Sequence, residues 1–263
     1  MGDVHPLRSQ FHPFHRRPFQ PLLGPVTFVA AGDIAALQTA VTDRTAAVIA
    51  EPIQGEGGIR PLSREFAQAI TDVCRRTGTL YIADEVQTGL GRTGFPFYFP
   101  VLGLEPDLVS VGKALGSGVP VGAMLMSERM AQAISPGDHG TTYGGNLLAC
   151  RAALFFLEQL MDHGVLDHVK AVGSLFERRL RTLALKHPVI TEVRGVGLMQ
   201  GLQLDVDATP IVDGARERGL LVNRTNEKVV RMLPPLTIEA ADLDRAVDIL
   251  DEVFAVVEAE VHA

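Results

Sequence analysis

The sequence predicts an α/β fold with a mostly parallel sheet, followed by a smaller α+β domain. In the first part of the chain, short apolar runs of strand length alternate with segments of helical periodicity. One strand, helix and strand follow one another closely enough for a βαβ unit, which takes about thirty residues or more. From about Val165 the pattern changes to long helices and paired strands, so we place the boundary between residues 150 and 165. We expect domains over residues 1–155 and 156–263.

Turn and cap residues delimit the predicted elements. Ser63 is a typical N-cap, Gly78 is a typical helix end, and a short connection before Val121 favours an antiparallel strand. In the first domain we expect helices over Ile34–Val41, Ser63–Gly78 and Asn146–His163, and strands over Thr45–Ala50, Thr79–Ala83, Asp107–Gly112 and Val121–Met126. In the second we expect helices over Val165–Lys186, Ile211–Arg218 and Ile238–Glu258, and strands over Ile190–Arg194, Leu198–Leu204, Leu220–Val222 and Val229–Leu233.

The composition is that of a globular protein, with 46% hydrophobic and 21% charged residues in 263. A net charge of −7 argues against a nucleic-acid surface, because no basic excess faces the phosphates. We expect no membrane partner, since no apolar run is long enough to span a bilayer and the N-terminus lacks a signal-peptide pattern. Cys74 and Cys150 imply no disulfide framework, and we expect a cytoplasmic protein.

Residues 1–25 form a proline-rich lead that predicts irregular structure. Three histidines in it, His5, His12 and His15, raise the possibility of a metal site. We favour a surface loop and expect no metal, because no cysteine or carboxylate ligand set accompanies them. Further along, Asn223-Arg-Thr225 matches a glycosylation acceptor pattern, which has no meaning in a cytoplasmic chain.

Two predicted strands stop abruptly at a charged residue. The strand from Thr79 ends at Asp84, and the strand from Asp107 is followed by Lys113. An unpaired buried charge is costly, whereas the carboxyl ends of strands in open α/β sheets are where ligands bind. On spacing alone, an ordinary salt bridge between strand ends is favoured. The alternative is a shared task such as pyridoxal phosphate (PLP) chemistry, in which a lysine holds the aldehyde and an acid partners the pyridine nitrogen.

Two glycine-rich loops and one arginine are further candidates. Gly89–Gly94 matches G-x-G-x-x-G, but we reject a dinucleotide site because residues 84–88 separate it from the strand and prolines follow. The loop His139–Asn146 is either an anion-binding loop or the turn that caps the next helix. Arg231 lies at the end of a predicted strand, where its guanidinium group could bind both oxygens of a carboxylate. An ordinary surface arginine is equally consistent with the pattern.

Six motifs in a fixed order resemble those of the class III (ω-amino) aminotransferases. They are EPIQGEGG at 51–58, DEVQTGLGRTG at 84–94, GKALG at 112–116, HGTTYGGN at 139–146, VRGVG at 193–197 and RMLPPL at 231–236. The resemblance covers essentially the whole chain and is strongest to the members that act on N-acetylornithine. It implies the PLP-dependent transferase fold type I, with residues 1–155 as part of the large cofactor-binding domain and 156–263 as the small domain.

The resemblance also implies roles for individual residues. Lys113 would bind the cofactor aldehyde and later shuttle a proton, and Asp84 would keep the pyridine nitrogen protonated. Val86 would pack on the ring face and Gln87 would bond the ring hydroxyl. Thr142 would reach the cofactor phosphate of the neighbouring subunit, which implies a homodimer.

Glu56 and Arg231 resemble the family's switching pair. The pair would close when the amino donor enters through its side-chain amine, and Glu56 would swing away when 2-oxoglutarate brings its α-carboxylate to Arg231. We therefore expect PLP-dependent transamination between N-acetylornithine and 2-oxoglutarate, yielding glutamate, in arginine biosynthesis. The alternatives are another class III donor (ornithine or 4-aminobutyrate), an aminomutase, or an incomplete fragment that acts through a partner chain.

The family motifs that precede these six have no counterpart in the chain. They are a Ser-Gly-(Thr/Ala) loop for the cofactor phosphate, an aromatic residue that stacks on the ring, and a substrate-binding arginine. A phosphate loop of this kind supplies much of the cofactor's anchoring. The resemblance therefore implies an aminotransferase that lacks its front part, with weaker cofactor binding or no activity when it is alone.

Overall fold

The computed structural model describes residues 26–261, so the predicted irregular lead and its histidines lie outside the described residues. The chain forms two compact units. Within the described residues, unit 1 comprises residues 26–52, Leu62–Gln87 and Tyr98–Phe156, and unit 2 comprises Ile53–Pro61, Thr88–Phe97 and the residues from Leu157 onward. Two short segments of the predicted first domain thus group with the C-terminal part. The predicted division into domains at residues 155 and 156 stays a prediction.

The sheet of unit 1 is mostly parallel, as the sequence predicted. Its strands are β1 (Ala47–Ala50), β4 (Leu80–Asp84), β5 (Leu108–Val111) and β6 (Ala123–Met126), in that spatial order. β1 pairs with β4 and β4 with β5 in parallel, whereas β6 runs antiparallel to β5. The antiparallel direction of β6 follows from the short connection, which leaves no room for a crossover.

The helices of unit 1 are α1 (Ile34–Ala40), α2 (Arg64–Thr77), α3 (Glu128–Ala131) and the start of α4 (Leu147–Asp162). Three of them begin and end at the predicted residues to within a few positions, and the short helix α3 was not predicted. The Ser63 hydroxyl accepts a hydrogen bond from Phe66 N and caps α2, and Gly78 ends it at a φ of 72°. Cys74 and Cys150 are free, and burial of Cys74 on α2 raises the pKa of its thiol to about 11.

Unit 2 is built on an antiparallel sheet covered by helices. The sheet contains β7 (Ile190–Val196), β8 (Met199–Leu204), β10 (Val229–Met232) and β9 (Asn223–Arg224), in that order. The helices are α5 (Val165–Lys186), α6 (Thr209–Glu217) and α7 (Ala240–Val261). Their apolar faces form one core with the sheet, whose fully buried members include Leu180, Leu202 and Phe254. The described helices include none that is both long and apolar enough to cross a membrane.

The prediction of a strand over Leu220–Val222 was wrong. The strand is Asn223–Arg224, which pairs with Val230 and Arg231 of β10. The side chains of Leu220 and Val222 pack against the core without joining the ladder. The apolar residues at 220 and 222 therefore indicate that this segment packs against the core. They do not indicate that it pairs with a neighbouring strand.

A short hairpin in unit 2 was not predicted. Its strands are β2 (Ile53–Gln54) and β3 (Arg60–Pro61), which pair antiparallel. The loop between them, residues 55–59, carries Glu56. Two-residue strands have too little periodicity to be recognised from a sequence.

Candidate active site

Asp84 is the last residue of β4 and lies opposite Ser110 of β5. The Ser110 hydroxyl donates to Asp84 Oδ1 at 3.2 Å, and the backbone N–H of Val86 donates to the same oxygen at 3.1 Å. The side chain is half-buried. Because β4 and β5 are parallel, their carboxyl ends share one edge of the sheet. Asp84 thus presents an oriented carboxylate at the edge where ligands bind in folds of this kind.

The fully buried charge at this strand end is the neighbouring Glu85. Its side chain accepts backbone N–H bonds from Tyr98 at 2.6 Å and Phe99 at 2.7 Å through Oε1. Two amide donors compensate part of the cost of burying a carboxylate. Glu85 was not among the site residues predicted from the sequence. Adjacent residues of an extended chain point to opposite faces. Two acidic residues in a row at a strand end, here Asp84 and Glu85, therefore indicate carboxylates with different surroundings.

Lys113 follows β5 after Gly112 and has an exposed side chain. Its φ of 47° lies in the left-handed region, which costs a non-glycine residue about 1–3 kcal/mol. Backbone strain of this kind clusters at functional sites. A Cβ atom placed on Gly112 would lie 3.7 Å from Val86 Cγ1. The turn that leads to Lys113 therefore lies beside Val86, two residues after Asp84.

Unit 1 thus contains five of the predicted site residues. The segments of Asp84, Val86 and Lys113 lie together at the carboxyl ends of β4 and β5. Gln87 is half-buried next to Val86 in the chain, and Thr142 is exposed in the loop before α4. The roles expected for these five residues stay predictions.

Glu56 and Arg231 form an ion pair within unit 2. Arg231 Nη1 donates to Glu56 Oε1 at 2.6 Å. The two side chains differ in burial, because that of Arg231 is 10% exposed and that of Glu56 is 53% exposed. The structure therefore brings together the two residues of the predicted switching pair. It places the cation in a fixed, buried position and the carboxylate where it can turn toward solvent.

The loop that carries Glu56 is anchored by Arg194 of β7. Arg194 Nε donates to the carbonyl oxygen of Gly58 at 2.7 Å, and its other nitrogens donate to Glu192 and Gln203. Burial is the main cause that lowers the pKa of Arg194, and the charge of Arg60 adds to it. Gly58 has a φ of 100°, and a Cβ there would lie 3.1 Å from Arg194 Nη2. A glycine is needed for both reasons.

Arg92 was also missed by the sequence analysis. It is half-buried in unit 2 and donates to the carbonyl oxygens of Leu198 at 3.2 Å and Pro234 at 2.5 Å. Burial lowers the pKa of Arg92 to about 10. The bond to Pro234 fixes the segment that follows Arg231 on β10. The repeated glycines around Arg92 indicated only a loop, because nothing local reveals a bond across 142 residues.

Comparison with solved structures shows the same architecture in a known class of protein. The ornithine aminotransferase from Toxoplasma gondii, whose crystal structure has partial occupancy of PLP at the active site, superposes with a TM-score of 0.91 at 32% identity. The alignment covers 99% of this chain and 63% of that one. The fold is that of the PLP-dependent transferases of fold type I. The model of the Aminotransferase class-III family matches residues 8–254, and the chain belongs to this PLP-dependent family.

Curated relatives point to the same family. The chain is 44% identical to the acetylornithine aminotransferase of Methanothermobacter thermautotrophicus over 241 residues, which cover 92% of this chain and 62% of that protein. It is 45% identical to the acetylornithine aminotransferase of Methanocaldococcus jannaschii over 242 residues, which cover 92% of this chain and 61% of that protein. The chain thus spans about three fifths of the length of these relatives.

Proposed function

We propose that this protein is a PLP-dependent aminotransferase that takes the ω-amino group of N-acetylornithine and gives an amino group to 2-oxoglutarate. The ion pair between Glu56 and the buried Arg231 is the observation that carries the proposal. A transaminase with these two substrates must accept a side-chain amine in one half-reaction and an α-carboxylate in the other. A cation whose counter-ion can move away serves both needs. The names of the relatives support the choice of donor.

The residues of unit 1 fit the cofactor. Lys113 would hold it through the side-chain amine, Asp84 would contact the ring nitrogen, Val86 the ring face and Gln87 the ring hydroxyl. Ser110 Oγ and the Val86 N–H already hold Asp84 Oδ1, so the carboxylate is oriented before any ligand binds. The cofactor, when bound, accepts the electron pair that is left on the substrate carbon after proton loss. The released Lys113 amine would carry that proton, since it is exposed on a strained turn at this edge.

The ion pair of unit 2 would select between the two substrates. With Glu56 on Arg231, the positive charge is neutralised and no carboxylate is attracted. When 2-oxoglutarate arrives, Glu56 turns toward solvent and the guanidinium binds both carboxylate oxygens in its fork. The half-exposed side chain of Glu56 permits this rotation, whereas burial keeps Arg231 in place.

We propose further that the protein is a cytoplasmic homodimer in which Thr142 reaches the cofactor phosphate of the other subunit. Thr142 is exposed in a glycine-rich loop, as that contact requires. The same unit exposes large apolar side chains, including Met124, Leu125, Leu147 and Leu148. In the proposed homodimer, a second subunit would cover some of these exposed apolar side chains.

Ornithine is the second candidate donor. The structural similarity to the ornithine aminotransferase from Toxoplasma gondii favours ornithine, since the structural alignment covers 99% of the present chain. The two donors differ at the α-nitrogen, which is a charged amine in ornithine and part of a neutral amide in N-acetylornithine. Values of kcat/KM for the two donors, measured side by side, decide between them.

Replacing Glu56 by alanine should increase the reaction with glutamate relative to N-acetylornithine. The substitution removes the carboxylate that competes for Arg231, so an α-carboxylate binds without displacing it. A hydrogen bond between charged groups contributes about 1.5–3 kcal/mol, so the ratio of the two kcat/KM values should increase by roughly 10- to 100-fold. Glu177→Ala is a control, because Glu177 pairs with Arg181 on the same helix and has no contact with the Glu56 loop among the described interactions. An unchanged ratio in the Glu56 variant would rule out the switch.

A further inference from the structure

The segment Asn223–Thr225 contacts both members of the Glu56–Arg231 pair. Asn223 and Arg231 lie opposite each other in the β9–β10 ladder. The side-chain oxygen of Asn223 accepts a hydrogen bond from Arg231 Nε at 3.2 Å. Arg231 Nη1 at the same time donates to Glu56. The contact with Asn223 therefore uses a nitrogen that the contact with Glu56 does not need.

Thr225, two residues after Asn223, forms a hydrogen bond with the backbone of Glu56, the other member of the pair. Its hydroxyl donates to the carbonyl oxygen of Glu56 at 2.6 Å and lies 3.5 Å from that of Gly55. Thr225 is only 3% exposed, and its backbone N–H donates to Val229 O at 3.0 Å, which keeps the hydroxyl in place. The hydroxyl therefore fixes the main chain of Glu56 and leaves the exposed side chain to rotate.

We propose that Asn223 and Thr225 are positioning residues of the switch, with different tasks. Asn223 keeps the guanidinium of Arg231 in one orientation whether its partner is Glu56 or a substrate carboxylate. Thr225 keeps the backbone of Glu56 in one place, so that the switch is a rotation of a single side chain and the loop does not move. This inference rests on the proposed function of the pair.

The two tasks predict different kinetic effects. Asn223→Ala should raise the KM for 2-oxoglutarate by about 10-fold or more, since a lost hydrogen bond to a charged group costs about 1.5–3 kcal/mol. The kcat/KM for N-acetylornithine should change much less, because that donor does not bind Arg231 and the ion pair with Glu56 remains. Thr225→Val should increase the preference for glutamate over N-acetylornithine by about 3- to 10-fold, because a mobile backbone weakens the closed pair.

The experiment measures both half-reactions for these variants and for two controls. Thr225→Ser restores the hydroxyl and should restore the preference, which packing alone would not explain. Leu221→Ala changes an 85% exposed side chain in the same segment and should behave as the wild type. Binding of glutarate, measured by calorimetry, gives a readout other than turnover. It should weaken about 10-fold in Asn223→Ala.

The same variants in a Glu56→Ala background separate the possible failures. Without the Glu56 carboxylate, Thr225→Val should no longer change the donor preference, whereas Asn223→Ala should still raise the KM for 2-oxoglutarate. If Glu56→Ala alone changes nothing, the proposed switch is wrong. If Glu56→Ala changes the preference but Thr225→Val does not, or Asn223→Ala leaves both KM and glutarate binding unchanged, the switch stands and the positioning roles are wrong.

Discussion

Replacing Lys113 by alanine is expected to lower the rate of transamination by about 10⁴-fold or more. In the proposed function this amine both holds the cofactor and carries the proton at the substrate carbon. A positioned general base alone contributes about 10²- to 10⁴-fold, and loss of the covalent role adds to that. Lys113 is exposed on a turn with a φ of 47°, so alanine removes the amine without leaving a core cavity.

The rate is measured as formation of glutamate from N-acetylornithine and 2-oxoglutarate with saturating PLP. Lys186→Ala serves as the matched control, since Lys186 forms an ion pair with Asp251 in unit 2 and should have no catalytic role. Its rate should equal that of the wild type. A Lys113→Ala variant that keeps more than about 1% of the activity would contradict the proposed role of the amine.

Replacing Arg231 by lysine should raise the KM for 2-oxoglutarate by about 100-fold. Lysine keeps the charge but loses the planar fork that binds two carboxylate oxygens and the nitrogen that donates to Asn223. Two charge-assisted hydrogen bonds at about 1.5 kcal/mol each account for this magnitude. The half-reaction with N-acetylornithine should be much less affected, because a lysine can still pair with Glu56.

The measurement is a pair of single half-reactions, one with each substrate, together with a thermal unfolding curve. Arg216→Lys is a suitable control, because Arg216 is exposed and pairs with Asp213 on α6. Arg231 is buried, so its substitution also lowers stability to some extent. Equal losses with both substrates would indicate general damage to unit 2 and would contradict a specific role for Arg231.

The sequence predicted most long elements of this fold, whereas the roles of the site residues stay predictions. The strands of unit 1 coincide with largely apolar runs, and the charges at the ends of two of them pointed to Asp84 and Lys113. The helix from Arg64 has both of its cap residues in sequence. These features are local, so a pattern of a few residues is sufficient to predict them.

The features that sequence reasoning missed depend on contacts distant in the chain. Glu85 bonds to amides 13 and 14 residues away, and Arg92 bonds to a carbonyl 142 residues away. The pairing of Asn223 with Arg231 depends on the register between β9 and β10, and no local sequence pattern fixes that register. The ion pair of Glu56 with Arg231 was expected only from the family resemblance, since 175 residues separate the two.

The most direct test of the central claim is to locate the lysine that binds the cofactor. The purified protein is mixed with PLP, treated with borohydride to make any attachment through a lysine amine permanent, and digested for mass spectrometry. We predict modification at Lys113 and a loss of that labelled peptide in Lys113→Ala. Labelling that is spread over several surface lysines, or that leaves Lys113 unmodified, would contradict the assignment of this strand end as the cofactor site.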